Sequence, residues 1–340
     1  MNNLTILHDI PNEFLEVSST KIKMVFETPT LIHIEGDKKI PIFISILLHG
    51  NEFSGLEIIQ DVLKKYKTTN GYNLPRSLWL FVGNVDAAEL GVRVLDKQVD
   101  FNRAWPGTPN TKSDSAKLIQ KVFNTISKDP LFASLDLHNN TGQNPHYGCI
   151  SIVNEKNKYL CSLFNHIAMV FKSPKGVSTM AFDEICPAIT LECSTPGNIP
   201  AKNKACELID ALMHLDHFPE KDVAKQDLQL VKNSATIKIN TAISFEFGDL
   251  INPSSDVDLV IIDKFDQHNF TMLKKDEVFA HSNICKPLLV VAENGEDITD
   301  KIIQNKNGKI SLKNSMMPAM ISMDKKIVLQ DCLCYLLEDY

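Results

Sequence analysis

Ile42-Phe43-Ile44-Ser45-Ile46-Leu47-Leu48-His49-Gly50-Asn51-Glu52 is the stretch whose reading decides the fold. A short β-branched apolar run that stops at a polar, glycine-containing turn predicts a buried strand carrying side chains to a site at its end. His49 and Glu52, an imidazole and a carboxylate three residues apart, are donors that suit a divalent zinc ion. So short a motif also arises by chance, and its meaning depends on what the rest of the chain supplies.

A second apolar segment, Leu131–Leu137, ends in Asp136-Leu137-His138-Asn139-Asn140-Thr141-Gly142. Again a strand runs into a polar turn with a histidine at the junction. On a strand Asp136 and His138 share a face, which brings the carboxylate near the imidazole. Two histidines and one carboxylate, with the fourth position left to water, form a catalytic zinc pattern, whereas structural sites are usually closed by cysteines. Taken alone, His138 has as its lesser alternative reading a capping or core histidine. Two more segments add weight: Gly91-Val92-Arg93 followed by Val99-Asp100-Phe101-Asn102-Arg103, and Ile189-Thr190-Leu191-Glu192-Cys193. A carboxylate near the end of a buried strand costs several kcal/mol if left charged and unpaired, so Glu192 reads as a residue with a role.

His49/Glu52, Arg93, Asn102-Arg103, His138 and Glu192 follow the order used by zinc carboxypeptidases and their amidohydrolase relatives. The chain resembles the succinylglutamate desuccinylase/aspartoacylase family of that superfamily over about residues 40–215, through HGNE, DFNR, DLHN and the TLE strand. The resemblance implies that His49, Glu52 and His138 bind one Zn²⁺ per chain. It implies that Glu192 is the general base, and that Asp100 orients a ligand histidine and fixes its tautomer. It matches Arg93 to the arginine that stabilises the oxyanion, and Asn102 and Arg103 to the pair that grips the substrate's carboxylate.

The same groups make chemical sense by themselves. Amide hydrolysis needs an activated water, a polarised carbonyl and a proton for the departing nitrogen. Zinc meets the first two needs. A carboxylate handles the proton transfers, worth typically 10²–10⁴-fold. Guanidinium groups supply charge stabilisation and bidentate carboxylate recognition. Against the family pattern, the stretch Ser178-Thr179-Met180-Ala181-Phe182 carries no cation, where aspartoacylases place a tyrosine and an arginine for a second acidic group. That argues against N-acetylaspartate. With Phe182 at the arginine's place, an acetyl or apolar acyl group is expected to serve at least as well as succinyl. The superfamily's substrate-covering tyrosine has no counterpart; Tyr147 lies near His138 in sequence but no motif assigns it.

At 340 residues and 44% hydrophobic content the chain can bury a large core and a smaller one. A net charge of −7 gives no electrostatic case for nucleic-acid binding. Met1–Asn12 lacks the regions of a signal peptide, and no apolar run approaches the roughly 20 residues needed to cross a membrane, so a cytoplasmic enzyme is expected. The expected partner is a small N-acyl amino acid or short peptide, with no nucleic acid, no membrane, and homo-oligomerisation left open. Eight cysteines without a C-x-x-C pair suit a reducing compartment. Cys332 and Cys334 would share a strand face, Cys193 reads as packing, and His214 and His217 read as histidines at a helix C-terminus.

The pattern predicts an α/β fold: a zinc-carboxypeptidase-like mixed, largely parallel sheet flanked by helices, plus a smaller C-terminal β domain. Helices are expected at Ser54–Tyr66, Ser115–Ile126 and Tyr159–Val170, and strands at Leu78–Val82, Ile150–Val153 and Ile189–Leu191. Residues 1–217 would form the catalytic domain, 218–227 a linker containing Pro219, and 228–340 a β-rich domain bordering the active site. Its strand candidates are Ala235–Asn240, Val257–Ile262, Leu288–Ala292, Lys309–Leu312 and Lys326–Leu329, with a hairpin signal at Asn307-Gly308. The leading function is a zinc amidohydrolase cleaving an N-acyl amino acid. A metallocarboxypeptidase trimming a peptide end uses the same zinc and base. A non-catalytic binding protein on this scaffold would have lost Glu192 or a ligand, and none is missing.

Overall fold

Residues 42–46 of the apolar run lie inside a mixed sheet in the computed structural model, which describes residues 3–69, 71–140, 142–250, 256–330 and 332–340. The chain divides into two units, Met1–Asn139 with His146–Gln229, and Asn140–Pro145 with Leu230–Tyr340. In the first unit the strands are β1 (Thr5–Leu7), β2 (Thr30–Ile34), β3 (Gly36–Ile46), the small hairpin β4 (Lys67–Thr68) and β5 (Gly71–Tyr72), β6 (Leu74–Val82), β7 (Ala133–His138), β8 (Tyr147–Ile150), β9 (Ile167–Val170) and β10 (Ala188–Glu192). The sheet order is β1-β2-β6-β3-β7-β10-β8-β9. The pairs β1/β2, β3/β6, β3/β7, β7/β10 and β8/β9 are parallel, and β2/β6 and β8/β10 antiparallel.

Ile42, Phe43, Ile44 and Ile46 are buried because helices cover both faces of this sheet, which is why the strand reads as a continuous apolar run. On one face Phe43 and Phe81 pack with Trp105, with Leu118, Ile119 and Val122 of α3 (Asp114–Ile126), and with Phe182 of α5 (Ser178–Phe182). α1 (Ser54–Tyr66) buries Leu56, Ile59, Val62 and Leu63 and packs against α6 (Ile199–His214). Gly55 lets α1 approach the sheet, since a Cβ there would lie 3.0 Å from Leu137 Cβ and 3.1 Å from Ile46 Cγ2, tighter than ordinary van der Waals contact. His214 closes α6 as expected, but the terminal carbonyls are met from β6: the buried Arg76 donates to the carbonyls of Leu212 and Leu215 and stacks on Phe132.

The segment expected as one helix, Tyr159–Val170, is a helix (Glu155–Phe164) followed by strand β9. Asn154 caps the helix by accepting from the Asn157 N–H, and Asn165 ends it in an extended conformation. The four residues Ile167–Val170 are all buried and pair with β8, so tertiary pairing overrides the run's helical periodicity. The strand expected at Ile150–Val153 lies earlier, at Tyr147–Ile150.

In the second unit, Gln229–Ile239 pairs antiparallel with Leu288–Ala292 and with Cys334–Asp339, which in turn pairs with Met317–Ala319. A five-stranded sheet runs Phe245–Gly248, Leu259–Ile262, Val278–His281, Lys309–Leu312, Ile303–Lys306. Asn307 and Gly308 close its last hairpin at positive φ, as a two-residue turn of this hand requires. Lys326–Leu329 is helical rather than a strand. Asp324 accepts from the N–H groups of Lys326 and Ile327, capping the turn, and Val328 is buried while Leu329 is exposed. Cys332 precedes the strand Cys334–Asp339 rather than sharing it. Residues 140–145 belong to this unit through Asn144, which accepts from Met320 N, and through Gly142, where a Cβ would collide with the Ile321 carbonyl. Thr141 of the quoted turn lies outside the described residues.

Candidate active site

The carboxyl ends of β3, β7 and β10 bring their residues to one edge of the sheet, the place where parallel α/β sheets bind ligands. In register, Ser45 lies beside Asp136, and Glu192 beside His138 on one side and Tyr147 on the other. His49, Glu52 and His138 converge: their nearest nitrogen and oxygen atoms lie within 4.8 Å of one another. His49 Nδ1 is 2.7 Å from Glu52 Oε1, His138 Nδ1 is 2.6 Å from Glu52 Oε2, and the two Nδ1 atoms are 3.1 Å apart.

The far side of each ring explains the near side. His49 Nε2 lies 3.1 Å from Asp100 Oδ1, and His138 Nε2 lies 2.9 Å from Asp136 Oδ2. Asp136 itself accepts from Ser45 Oγ at 2.6 Å in the sheet interior. A ring that donates its Nε2 proton to a carboxylate presents a bare Nδ1 lone pair. Two such lone pairs and a carboxylate facing one another are mutually repulsive unless a cation or a proton sits among them. The donor set therefore fits a metal ion, and two imidazoles with one carboxylate suit zinc with an open position.

The charge balance carries the same signature. Burial would lower the His138 pKa, but Asp136 and Glu52 outweigh it and push it well above the usual imidazole range. Burial would raise Glu52, yet His49 and His138 hold it well below the carboxylate range. Asp100 is likewise held low, against burial, by its bond to His49 and the Arg93 guanidinium. Glu192 behaves oppositely: burial pushes it up to about 7. Burial also raises the thiols of Cys149 and Cys193, which marks both as inert at neutral pH.

Arg93 reaches the cluster, with Nη1 3.2 Å from Glu52 Oε1 and Nη2 3.3 Å from Asp100 Oδ2. Asp100 caps a single 3₁₀ turn, Phe101–Arg103, and accepts from Asn102 N at 2.7 Å. That turn puts Asn102 Nδ2 3.2 Å from His138 Nε2, and Arg103 Nη1 donates to the Asn102 carbonyl. Phe182, at the place counted back from Glu192 for the family's arginine, is fully buried among Phe43, Trp105 and Phe123 and faces the core. Tyr147, which no motif assigned, stands opposite Glu192 through the antiparallel β8/β10 pair, a neighbour visible only once those strands pair.

Gly50 has a packing reason. Its N–H donates to the Arg93 carbonyl, and a Cβ would lie 2.2 Å from backbone atoms of Ala87 and Ala88 in α2 (Val85–Glu89). Gly50→Ala is expected to cost about 1–3 kcal/mol or more through backbone overpacking. Thermal unfolding checks it, and an unchanged Tm would show that the turn can shift.

Residues 41–195 match the family model described as the succinylglutamate desuccinylase/aspartoacylase catalytic domain. The structure is similar to a succinylglutamate desuccinylase from Chromobacterium violaceum at 14% identity, covering 88% of this chain and 84% of that one with a TM-score of 0.57. A succinylglutamate desuccinylase/aspartoacylase from Rhodobacter sphaeroides matches at 10% identity, 91% and 88% coverage and a TM-score of 0.59. Murine aminoacylase 3 matches at 14% identity, 89% and 96% coverage and a TM-score of 0.50. Such identities speak for the fold alone, and no curated protein sequence gives a significant match. Residues 41–195 are thus similar to the succinylglutamate desuccinylase/aspartoacylase catalytic domain.

Proposed function

We propose that this chain is a zinc-dependent amidohydrolase that removes the acyl group from an N-acyl amino acid. The observation that carries the reading is the convergence of His49 Nδ1, His138 Nδ1 and the Glu52 carboxylate, with Glu192 in register beside His138. His49, Glu52 and His138 hold the metal, and Asp100 and Asp136 keep the two rings oriented. Zinc in such a set supplies a Lewis acid and brings the pKa of water near 7. Glu192 takes the proton of the attacking water and returns it to the departing nitrogen. Burial has already raised it to about 7, close to the pKa a general base needs at neutral pH. Arg93 lies against Glu52 and Asp100 with half of its side chain exposed, so it can turn a guanidinium N–H towards the negative charge developing on the carbonyl oxygen. Asn102 and Arg103 grip the free carboxylate of the amino-acid part.

The test is kcat/KM for matched N-acyl amino acids, their C-terminal amides, and dipeptides. Amidation is expected to cost roughly 2–4 kcal/mol of transition-state binding, because the guanidinium loses its bidentate partner. Indifference to amidation would remove Arg103 from the site. Faster cleavage of dipeptides than of acyl amino acids would replace the deacylase reading with that of a metallocarboxypeptidase. Among the described residues no helix is long and apolar enough to cross a membrane.

A further inference from the structure

Asn102 is held by a backbone group from a different part of the chain. Its Oδ1 accepts from the N–H of Ser178 at 3.1 Å. The two ends of a side-chain amide differ in whether they donate, and one bond to Oδ1 fixes which end faces the site. Here it leaves Nδ2 beside the His138 ring, 3.2 Å from Nε2. His138 Nε2 already lies 2.9 Å from Asp136. A ring nitrogen that donates to Asp136 cannot also accept from Asn102, so the Nδ2 protons remain for a ligand.

We propose that the backbone amide of Ser178 is a positioning group that holds the Asn102 donor end towards the substrate's carboxylate. The inference rests on the reading of Asn102 and Arg103 as the carboxylate grip. The same short segment reaches the second member of that grip. Gly176 has φ +78°, and a Cβ there would lie 2.7 Å from the Arg103 carbonyl oxygen. Trp105 N–H donates to the Gly176 carbonyl at 3.0 Å, which ties residues 176–178 to the turn that carries both grip residues. The Ser178 side chain takes no part: its Oγ is buried and has no hydrogen-bond partner among the described residues.

Ser178 is the first residue of α5 and follows Val177 in an extended conformation, φ −95° and ψ 152°. Proline is tolerated at that helical position and after such a residue, so Ser178→Pro deletes the N–H while sparing the helix. Matched N-acyl amino acids and their C-terminal amides are assayed for kcat and KM, with bound zinc measured alongside. For the acids, Ser178→Pro is expected to lower kcat/KM by about 10–100-fold, mainly through KM, the size of one charge-assisted hydrogen bond. Turnover of the amides and zinc content should stay close to wild type. Ser178→Ala retains the N–H and is expected to keep the wild-type preference for acid over amide. Gly176→Ala displaces the same segment and is expected to repeat the selective loss. The proposal is overturned if Ser178→Pro keeps the wild-type acid preference, if Ser178→Ala loses as much as Ser178→Pro, or if Ser178→Pro and Gly176→Ala each weaken acid and amide alike. A wild-type enzyme indifferent to amidation would overturn the grip reading and this inference with it. A discriminating wild type with an unchanged Ser178→Pro overturns the inference alone.

Discussion

Glu192→Gln is expected to bind zinc and fold like the wild type while losing about 10²–10⁴-fold in kcat. The amide is nearly isosteric with the carboxylate and leaves the β10 position beside His138 intact, but its oxygen cannot take the proton of water. The pH profile gives an independent reading. The proposed base role requires Glu192 as the carboxylate, so kcat/KM should rise with pH as the group loses its proton. In the protein alone that group titrates at about 7, raised by burial. A divalent cation beside it favours the charged form and moves the rising limb below 7. In Glu192→Gln this limb should vanish from the residual activity. Turnover within a few-fold of wild type would show that another group is the base.

His49→Ala and His138→Ala are expected to abolish both stoichiometric zinc and activity. Each removes one of three donors from a set whose two rings face each other at 3.1 Å between Nδ1 atoms. The contrast is Asp136→Asn. There the His138 ring remains but the carboxylate that orients it is neutral, and metal affinity should fall about 10–100-fold rather than vanish. Metal analysis after dialysis, with activity measured across added zinc, separates the cases: Asp136→Asn should recover with added zinc and the histidine variants should not. Wild-type zinc content in both histidine variants would sink the assignment. Full activity of metal-stripped wild type would do the same to the cofactor.

Much of this arrangement is written locally. His49 and Glu52 are three residues apart on one turn, and Asp136 and His138 are two apart on one strand, so each pair is brought together by backbone geometry over a few residues. Buried strands such as β3 and β10 announce themselves as unbroken apolar runs because both faces are covered. The misread segments share a cause. Ile167–Val170 continues a helical apolar pattern but is claimed by β8, and Lys326–Leu329 has strand composition but is captured by the Asp324 cap. In both, a contact outside the window decided between two states that periodicity leaves nearly balanced. Phe182 shows the same limit within the site region, since distance back from Glu192 says nothing about which face of α5 a side chain takes.

The sequence by itself determined the strand-turn elements, the candidate chemistry-bearing residues and the resemblance carried by residues 41–195, because these rest on short-range spacing and composition. Only the tertiary structure decided which of those residues meet. Glu192 lies beside His138 because β10 pairs in parallel with β7, and Ser178 fixes Asn102 because the glycine at 176 lets a distant segment close on the Arg103 carbonyl. Such contacts join residues tens of positions apart. Their register is set by burying complete sheet faces and satisfying backbone hydrogen bonds over the whole unit, a condition that no local stretch of sequence contains.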